Sequence, residues 1–600
     1  MIKKIIGVCK NIKNKDYYNL IILCILQGIY FIYIDFFNQY LVDRSFSISK
    51  YINMASLSFN IIWMLLAFII MYLLKNKGRK ILLGITNIIL LIFSIINYFI
   101  NSYFGTAISW KDLAMTKNGL TFADSIFKFI NCNLGLFIIV AVLLIILILK
   151  VNTKYTYKIK SIKILFVIML CIGLIFFHNF VQKQIIKNNK KWNPDKVFGE
   201  TVNYYVKWIE PANLIKGCGT YEYLVRDFYF SFLKKENPKK AKLEVNEYLE
   251  SYKNYEKRKY NGIFKDKNLI FVMMEAMDDW LISEEITPTI YKLMQRGFNF
   301  KNHYSPSYVT GDTANTEFMV NTGLYPSINR LSPNYSYVNN SFSYSLANLF
   351  KNEGYITNSF HRSDGFIYNR DKMHLSFGYD KYHNYKALGM DNSNLDLDSY
   401  IIEKGYEKIV SKDKFMSFII TYSPHSPFTY NKIECKKNLD EIKKLTDEAD
   451  EEKLCALSAA RETDNMFKKL LENLEKDGLL EDTVIVGFSD HPNHLLVRED
   501  ESDLLNKTAF FIYNPNVRKH DINTLSSSIN IAPTIVNLFG LNSKYVYPGY
   551  DALNTDKEYV FFRDYTYFDG NKIQNATKDM IDDVSYSSNL LISDYYKSVK

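Results

Sequence analysis

Long apolar runs crowd the first third of the chain, and shorter ones separated by amphipathic stretches fill the rest. Five runs, at 19–37, 52–74, 81–100, 134–151 and 162–181, are each long enough to cross a bilayer core, which takes about 20 apolar residues per helix. The first has no small-residue cleavage site after it and four more runs follow, so it reads as a span and not as a removed leader. From residue 261 onward the pattern changes. NLIFVMM, YITNSF, FMSFIITY, TVIVGFS and TAFFIY read as near-continuous apolar strands. ITPTIYKLMQRG, SYSLANLFKNEG, ALSAARETDNMFKKLLENLEKDG and INIAPTIVNLFG read as helices, several stopped by Gly. Apolar strands alternating with helices imply a mostly parallel sheet covered on both faces.

Three units follow from this pattern: a five-helix transmembrane domain at 1–181, a partly helical linker at 182–260, and an α/β domain at 261–600. The linker holds the helical pieces YEYLVRDFYFSFLKK and LEVNEYLESYKNYEK and no clear A-x-A site, so the α/β domain is expected to stay tethered. Between the third and fourth runs, TAISWKDLAMTKNGLTFADSIFKFI is too polar to cross. It suits an interfacial helix or an ordinary loop equally.

Charge sets the expected orientation. Lys3, Lys4, Lys10, Lys13 and Lys15 precede the first run, KNKGRK joins the second to the third, and Lys154, Lys158, Lys160 and Lys163 lie between the fourth and fifth. Basic short loops stay cytoplasmic. Five crossings then put everything after residue 181 outside a bacterial cell. The net charge of +10 is modest, and its visible excess flanks the spans, which points to anionic membrane lipid and away from nucleic acid. Seven cysteines without CxxC spacing suggest neither a zinc ribbon nor a disulfide framework, although Cys435 and Cys455 could pair on the outer side.

Chemistry-bearing residues gather where strands end, the place ligands occupy in open α/β sheets. Glu275 ends NLIFVMM, and Asp490 and His491 follow TVIVGFS, with His494 three residues on. An adjacent carboxylate and imidazole can both face one ion. Thr313 in GDTANTEF opens a helix. With Glu317 nearby, it reads either as ordinary helix-start chemistry or as a nucleophile whose phosphate partner is favoured by helix-terminal N–H groups. Glu275 alone reads equally as a helix-cap carboxylate. SFHRSDGFIYNRDKMHLSFGYDKYH supplies His361, Tyr368, Arg370, Asp371 and His374, and Arg370 suits bidentate phosphate contact. His425 in TYSPHSPF suits proton transfer. Seven of the nine histidines fall between His303 and His494, which favours a shared polar cleft.

GDTANTEFMVNTGLYP, FHRSDGFIYNRDKMHLSFGYDKY, SPHSPF and SDH, in that order and after five spans, resemble the lipoteichoic acid synthase family. These are membrane phosphoglycerol transferases of the sulfatase-like branch of the alkaline phosphatase superfamily. The resemblance implies an extracellular α/β sulfatase-like catalytic domain and one divalent metal, Mn2+ or Mg2+, on Glu275, Thr313, Asp490 and His491. It makes Thr313 the nucleophile and places His361, Tyr368, Arg370 and His425 against substrate. The implied donor is phosphatidylglycerol and the implied acceptor a glycolipid anchor or growing polymer. Tyr368 stands where related sequences often have Trp, and Asp312 where they often have Lys or Arg, which bears on the donor headgroup. A phosphoethanolamine transferase or a primase that adds one unit shares this pattern. A sulfatase fits less well, because Thr313-Ala314-Asn315 lacks the C/S-x-P-x-R setting.

Overall fold

The structure is a computed structural model. It describes residues 15–43, 54–104, 107–110, 130–152, 161–187, 205, 208, 211–252, 259–306, 308, 312–327, 334–391, 393–493, 495, 507–555, 557–563 and 565–597. The chain divides into two units, one of residues 1–196 and 202–235, the other of 197–201 and 236–600. The segment 182–260, which the sequence presents as one linker, is therefore shared between them.

In the first unit, five helices are long and apolar enough to cross a membrane. They are α1 (Lys15–Asp43), α2 (Met54–Leu73), α3 (Asn76–Phe104), α4 (Cys132–Lys150) and α5 (Ser161–Lys187). Each of the five apolar runs forms one of these helices. Polar residues are not scattered along them but form a seam, as expected where lipid cannot satisfy an amide. Gln27 and Asn87 exchange side-chain amide bonds of 2.7 and 2.9 Å, and Asn38 donates to Ser94 while accepting from Asn97. In the KNKGRK turn, buried Arg79 donates to the Met71 and Leu74 carbonyls at the end of α2, where a cation satisfies orphan acceptors and the helix dipole.

Helices α6 (Pro211–Cys218) and α7 (Thr220–Phe228) belong to this unit. Asp35 of α1 accepts from the Thr220 amide at the start of α7 (2.7 Å), a carboxylate placed at a helix N-terminus. Glu222 of α7 accepts from Trp63, His178 and Tyr205, and Asp227 from Ser109, the Trp110 amide and Trp208. The segment from 106 to 130 is thus pinned at residues 108–110. Residues 111–129 lie outside the described residues, as do Lys3, Lys4, Lys10 and Lys13 and most of the 153–163 loop.

In the second unit, α8 (Pro238–Ser251) packs on the C-terminal helix α13 (Lys578–Ser593), with Tyr248 stacked on Tyr586 at 4.1 Å. The main sheet has eight strands in the order β5-β4-β6-β1-β7-β8-β2-β9. They are β1 (Asn268–Met274), β2 (Phe298–Phe300), β4 (Ile356–Phe360), β5 (Lys381–His383), β6 (Phe415–Ile420), β7 (Thr483–Ser489), β8 (Phe510–Tyr513) and β9 (His520–Ile522); β3 (His303–Tyr304) pairs outside this sheet. The first five in spatial order are mutually parallel, while β8 is antiparallel to β7 and to β2. Alternate residues of β1 enter two cores. Leu269, Phe271 and Met273 face one, which α9 (Asp312–Thr322) and α12 (Ile531–Leu538) cover; Ile270, Val272 and Met274 face the other, under α11 (Glu451–Lys476). Cys435 and Cys455 form a disulfide beside α11. A small antiparallel sheet (Val560–Phe561, Thr566–Phe568, Ile573–Asn575) and α13 complete the unit; neither carries a strong apolar period in the sequence.

Gly219, between α6 and α7, has φ +80°, and a Cβ there would lie 2.7 Å from the Asn60 amide oxygen and 2.9 Å from the Ser56 hydroxyl. Gly219→Ala is expected to weaken the docking of α7 by about 1–3 kcal/mol, because its positive-φ, extended backbone is one that essentially only glycine adopts. Amide hydrogen exchange of α7 in the detergent-solubilised chain should accelerate accordingly, with β1 amides unchanged; unchanged α7 exchange contradicts the docking.

Candidate functional site

The candidate site sits at the carboxyl ends of four adjacent parallel strands. The register pairs Met274 of β1 with Ser489 of β7, so the next residues, Glu275 and Asp490, stand side by side. The Asp490 amide donates to the Met274 carbonyl at 3.0 Å, and the Glu275 amide donates to the Thr421 hydroxyl just after β6. β4 delivers His361, whose Nδ1 lies 3.0 Å from the Ile420 carbonyl. The loop after β6 delivers His425.

Glu275, Asp490 and His491 offer ligand atoms that all lie within 4.8 Å of one another. The His491 Nε2 is 3.3 Å from Glu275 and 3.4 Å from Asp490. Its Nδ1 lies 2.9 Å from the Pro492 carbonyl, which can only accept; a ring protonated there would turn an Nε2 lone pair toward a cation. Asp490 Oδ1 accepts from the Ala276 and His491 amides at 2.8 Å each. Its Oδ2 is buried and, among the described residues, accepts no hydrogen bond; the His491 Nε2 stands 3.4 Å from it. A buried carboxylate oxygen without a short hydrogen bond, beside a second carboxylate and an imidazole nitrogen, fits one divalent cation. Without such a cation, burial and then the Asp490 charge push the Glu275 carboxyl above the usual carboxylate range. The turn is also strained, since Ala276 holds φ +45°.

Thr313 is half-buried in the first turn of α9. One turn on, the Thr316 hydroxyl donates to the Asp490 carbonyl at 2.7 Å. Residues three apart share a helix face, so this bond fixes the Thr313 face of α9 against the Asp490 turn. The side chain of Asp312, and His494 entirely, lie outside the described residues.

Arg370 opens α10 (Arg370–Ser376) after two non-glycine residues in left-handed conformation, Tyr368 (φ +57°) and Asn369 (φ +49°). Its guanidinium lies 5.8 Å from the Tyr368 ring centre, and its charge helps to hold the Glu275 carboxyl down. The sequence offers Arg370 as a two-pronged phosphate ligand. In the structure its Nε edge is already taken: Nε lies 2.8 and 3.0 Å from the two oxygens of Glu317, and the adjoining terminal nitrogen also bonds that carboxylate. Glu317 is therefore not a helix-start partner of Thr313 but the buried counter-ion of Arg370, with His374 on its other side at 2.9 Å. Burial alone would raise the Glu317 carboxyl, yet Arg370 and His374 hold it at about 2. Glu317 lies four residues after Thr313, and that spacing is its only mark in the sequence.

His361 is buried, and burial followed by the Arg370 charge pushes it well below the usual histidine range. His425 is half-buried, stacks on Tyr422 at 4.8 Å, and is also pushed down, by desolvation and then by Lys432. Its Nδ1 contacts the Ser426 carbonyl, so the neutral ring presents Nε2 as an acceptor.

Residues 267–541 match the family model described as Sulfatase. Over those residues the C-terminal unit is similar to that family. Lipoteichoic acid synthases from Staphylococcus saprophyticus and Staphylococcus aureus (strain USA300) are each 26% identical to the chain, over 410 and 411 residues, and each alignment covers 61% of this chain. The chain spans 62% of the length of these curated relatives. The crystal structure of the lipoteichoic acid synthase LtaP from Listeria monocytogenes is 22% identical, with a TM-score of 0.48, and covers 60% of this chain and 98% of that one. Glu275, Asp490, His491, His361 and His425 follow the β1, β7, β4 and β6 ends, Tyr368 and Arg370 stand at the start of α10, and Thr313 lies on α9; His494 lies outside the described residues.

Because Glu275 is protonated more readily in the metal-free site than a free carboxyl, a cation must displace its proton. Apparent metal affinity should rise by up to about tenfold per pH unit until Glu275 ionises. Glu275→Gln should bind metal more weakly and lose that part of the slope. Calorimetric Mn2+ titration of the full chain between pH 5.5 and 8 reads both; a slope identical in the variant removes Glu275 from the site.

Proposed function

We propose that the chain is a membrane-anchored phosphoglycerol transferase that moves glycerol phosphate from phosphatidylglycerol to a glycolipid anchor or a growing lipoteichoic acid chain. One observation carries this reading above the others: ligand atoms of Glu275, Asp490 and His491 converge within 4.8 Å of one another, and α9 binds its Thr313 face to the same turn. The names of the relatives support the substrate class.

Glu275, Thr313, Asp490 and His491 would hold the cation, and three oxygen donors with one imidazole suit Mn2+ or Mg2+. When bound, it supplies Lewis-acid stabilisation of negative charge on the reacting oxygens. The Thr313 hydroxyl oxygen attacks the phosphorus of phosphatidylglycerol. The bond from phosphorus to the diacylglycerol oxygen breaks, diacylglycerol leaves with the proton, and Thr313 carries glycerol phosphate. The acceptor hydroxyl then attacks the same phosphorus and Thr313 departs. His425, neutral at Nε2, takes the acceptor proton in this second displacement and passes it to the departing Thr313 oxygen, which restores the hydroxyl. Arg370 and Tyr368 hold the headgroup, and His361 borders it.

The catalytic domain is placed outside the cell in this reading. The basic short loops favour it, and so does the Cys435–Cys455 disulfide, since such bonds persist in oxidising compartments. The five spans then tether the catalytic domain to the membrane whose outer leaflet carries the donor headgroups.

Thr313→Ala should abolish diacylglycerol release from fluorescent phosphatidylglycerol while fold and membrane insertion persist. His425→Gln should slow acceptor transfer by about 10²–10⁴ and let the Thr313 adduct accumulate, as intact-peptide mass spectrometry would read. Undiminished turnover by Thr313→Ala rules out the covalent step.

A further inference from the structure

We propose that Glu317 is a positioning residue: it clamps one edge of the Arg370 guanidinium so that the opposite edge meets the donor phosphate in register with Thr313. This rests on the reading that Arg370 contacts that phosphate. Nothing in the GDTANTEF motif assigns Glu317 such a role.

The geometry of the clamp is one-sided. Glu317 takes the Nε edge of Arg370, at 2.8 and 3.0 Å to Nε and with a further bond to one terminal nitrogen. The other terminal nitrogen meets the Ser363 hydroxyl at 3.4 Å, and the Tyr382 hydroxyl also bonds the guanidinium, so no second carboxylate competes for it among the described residues. A guanidinium has five donors in a rigid plane, so fixing one edge fixes the direction of the rest. His374 donates to the second Glu317 oxygen at 2.9 Å and is itself fully buried, which locks the carboxylate in turn. Both members of the pair are nearly inaccessible, Arg370 at 4% and Glu317 at 5% exposure. A pair this dry keeps a single geometry, where an exposed one would sample many.

The placement of Glu317 on α9 adds the second part. Thr313 and Glu317 are four residues apart, on one face and separated by roughly 6 Å along the axis. One rigid helix thus sets the distance between the hydroxyl and the arginine's anchor. Thr316, between them on the same face, holds the helix to the Asp490 carbonyl. Nucleophile, phosphate ligand and carboxylate turn are all referenced to three successive contacts of one helix. Orientation of this kind is where a large share of a barrier to phosphoryl transfer is removed.

A purely electrostatic view gives the opposite sign. Glu317 cancels the charge of Arg370, so removing its charge would leave an uncompensated guanidinium and bind phosphate more tightly. The clamp predicts weaker binding, because Arg370 loses its direction. Inorganic phosphate is the probe, used as a competitor with the full chain in proteoliposomes and as a direct ligand in calorimetry. Glu317→Gln is expected to raise the phosphate inhibition constant and the donor KM at least tenfold with metal content unchanged. Glu317→Asp keeps the charge but shortens the reach, and it should show an intermediate loss. It also decides the matter if the Gln variant does not fold. Arg370→Ala and the double variant Glu317→Gln/Arg370→Ala should show the same loss, since Glu317 acts only through Arg370. Tighter or unchanged phosphate binding in a folded, metal-loaded Glu317 variant overturns the proposal, and so do losses that multiply in the double variant. The phosphate readout needs no turnover. A wild-type chain that binds phosphate through the clamp but transfers no glycerol phosphate would overturn the functional reading and leave the clamp standing.

Discussion

The parallel register between β1 and β7 is the constraint on which the site depends. Met274 opposite Ser489 makes Glu275 and Asp490 neighbours as the two strands leave the sheet. Two carboxylates this close and this buried repel each other by about 4 kcal/mol at an effective dielectric of about 20. That repulsion falls on a turn made rigid by the Asp490 amide, the Thr421 hydroxyl and the Ser489 hydroxyl, which donates onward to the His491 carbonyl. The two apolar cores on either face of β1 hold the strands in that register, because a slip of one residue would exchange every side chain between them. Packing energy far from the site thereby maintains a local electrostatic conflict that a cation relieves.

Strain is concentrated around the same chemistry. Ala276, Tyr368 and Asn369 adopt left-handed backbone without being glycine, and each stands next to a residue of the site or within it. Such conformations persist only where their surroundings over-determine them. For Ala276 the surroundings are the Asp490 carboxylate and the β-strand ends; for Tyr368 and Asn369 they include the Tyr335 ring and its carbonyl, to which the Asn369 amide donates.

Much of this was legible in the sequence, and the parts that were not share a cause. The five apolar runs and the five apolar strands each reappear as elements, because burial on all sides or in lipid leaves an uninterrupted signal. Short strands such as β2, β5 and β9, three residues each, carry too few positions for a period to show. Helical pieces at 221–235 and 243–257 were legible, but α6 and the division of this segment between two units were not, since docking depends on Asp35, Glu222 and Asp227 meeting donors far away in sequence. Glu275, Asp490 and His491 could be nominated because each follows an apolar strand. Glu317 could not be separated from ordinary helix-start chemistry, because its partners Arg370 and His374 lie 53 and 57 residues away.

The central claim is that Glu275, Thr313, Asp490 and His491 surround one cation. Anomalous diffraction from crystals of the chain grown with Mn2+ tests it most directly. The account predicts a single manganese peak in the C-terminal domain, within bonding distance of those four side chains. A peak bound elsewhere, or one from which the Thr313 hydroxyl stands well away, would contradict it.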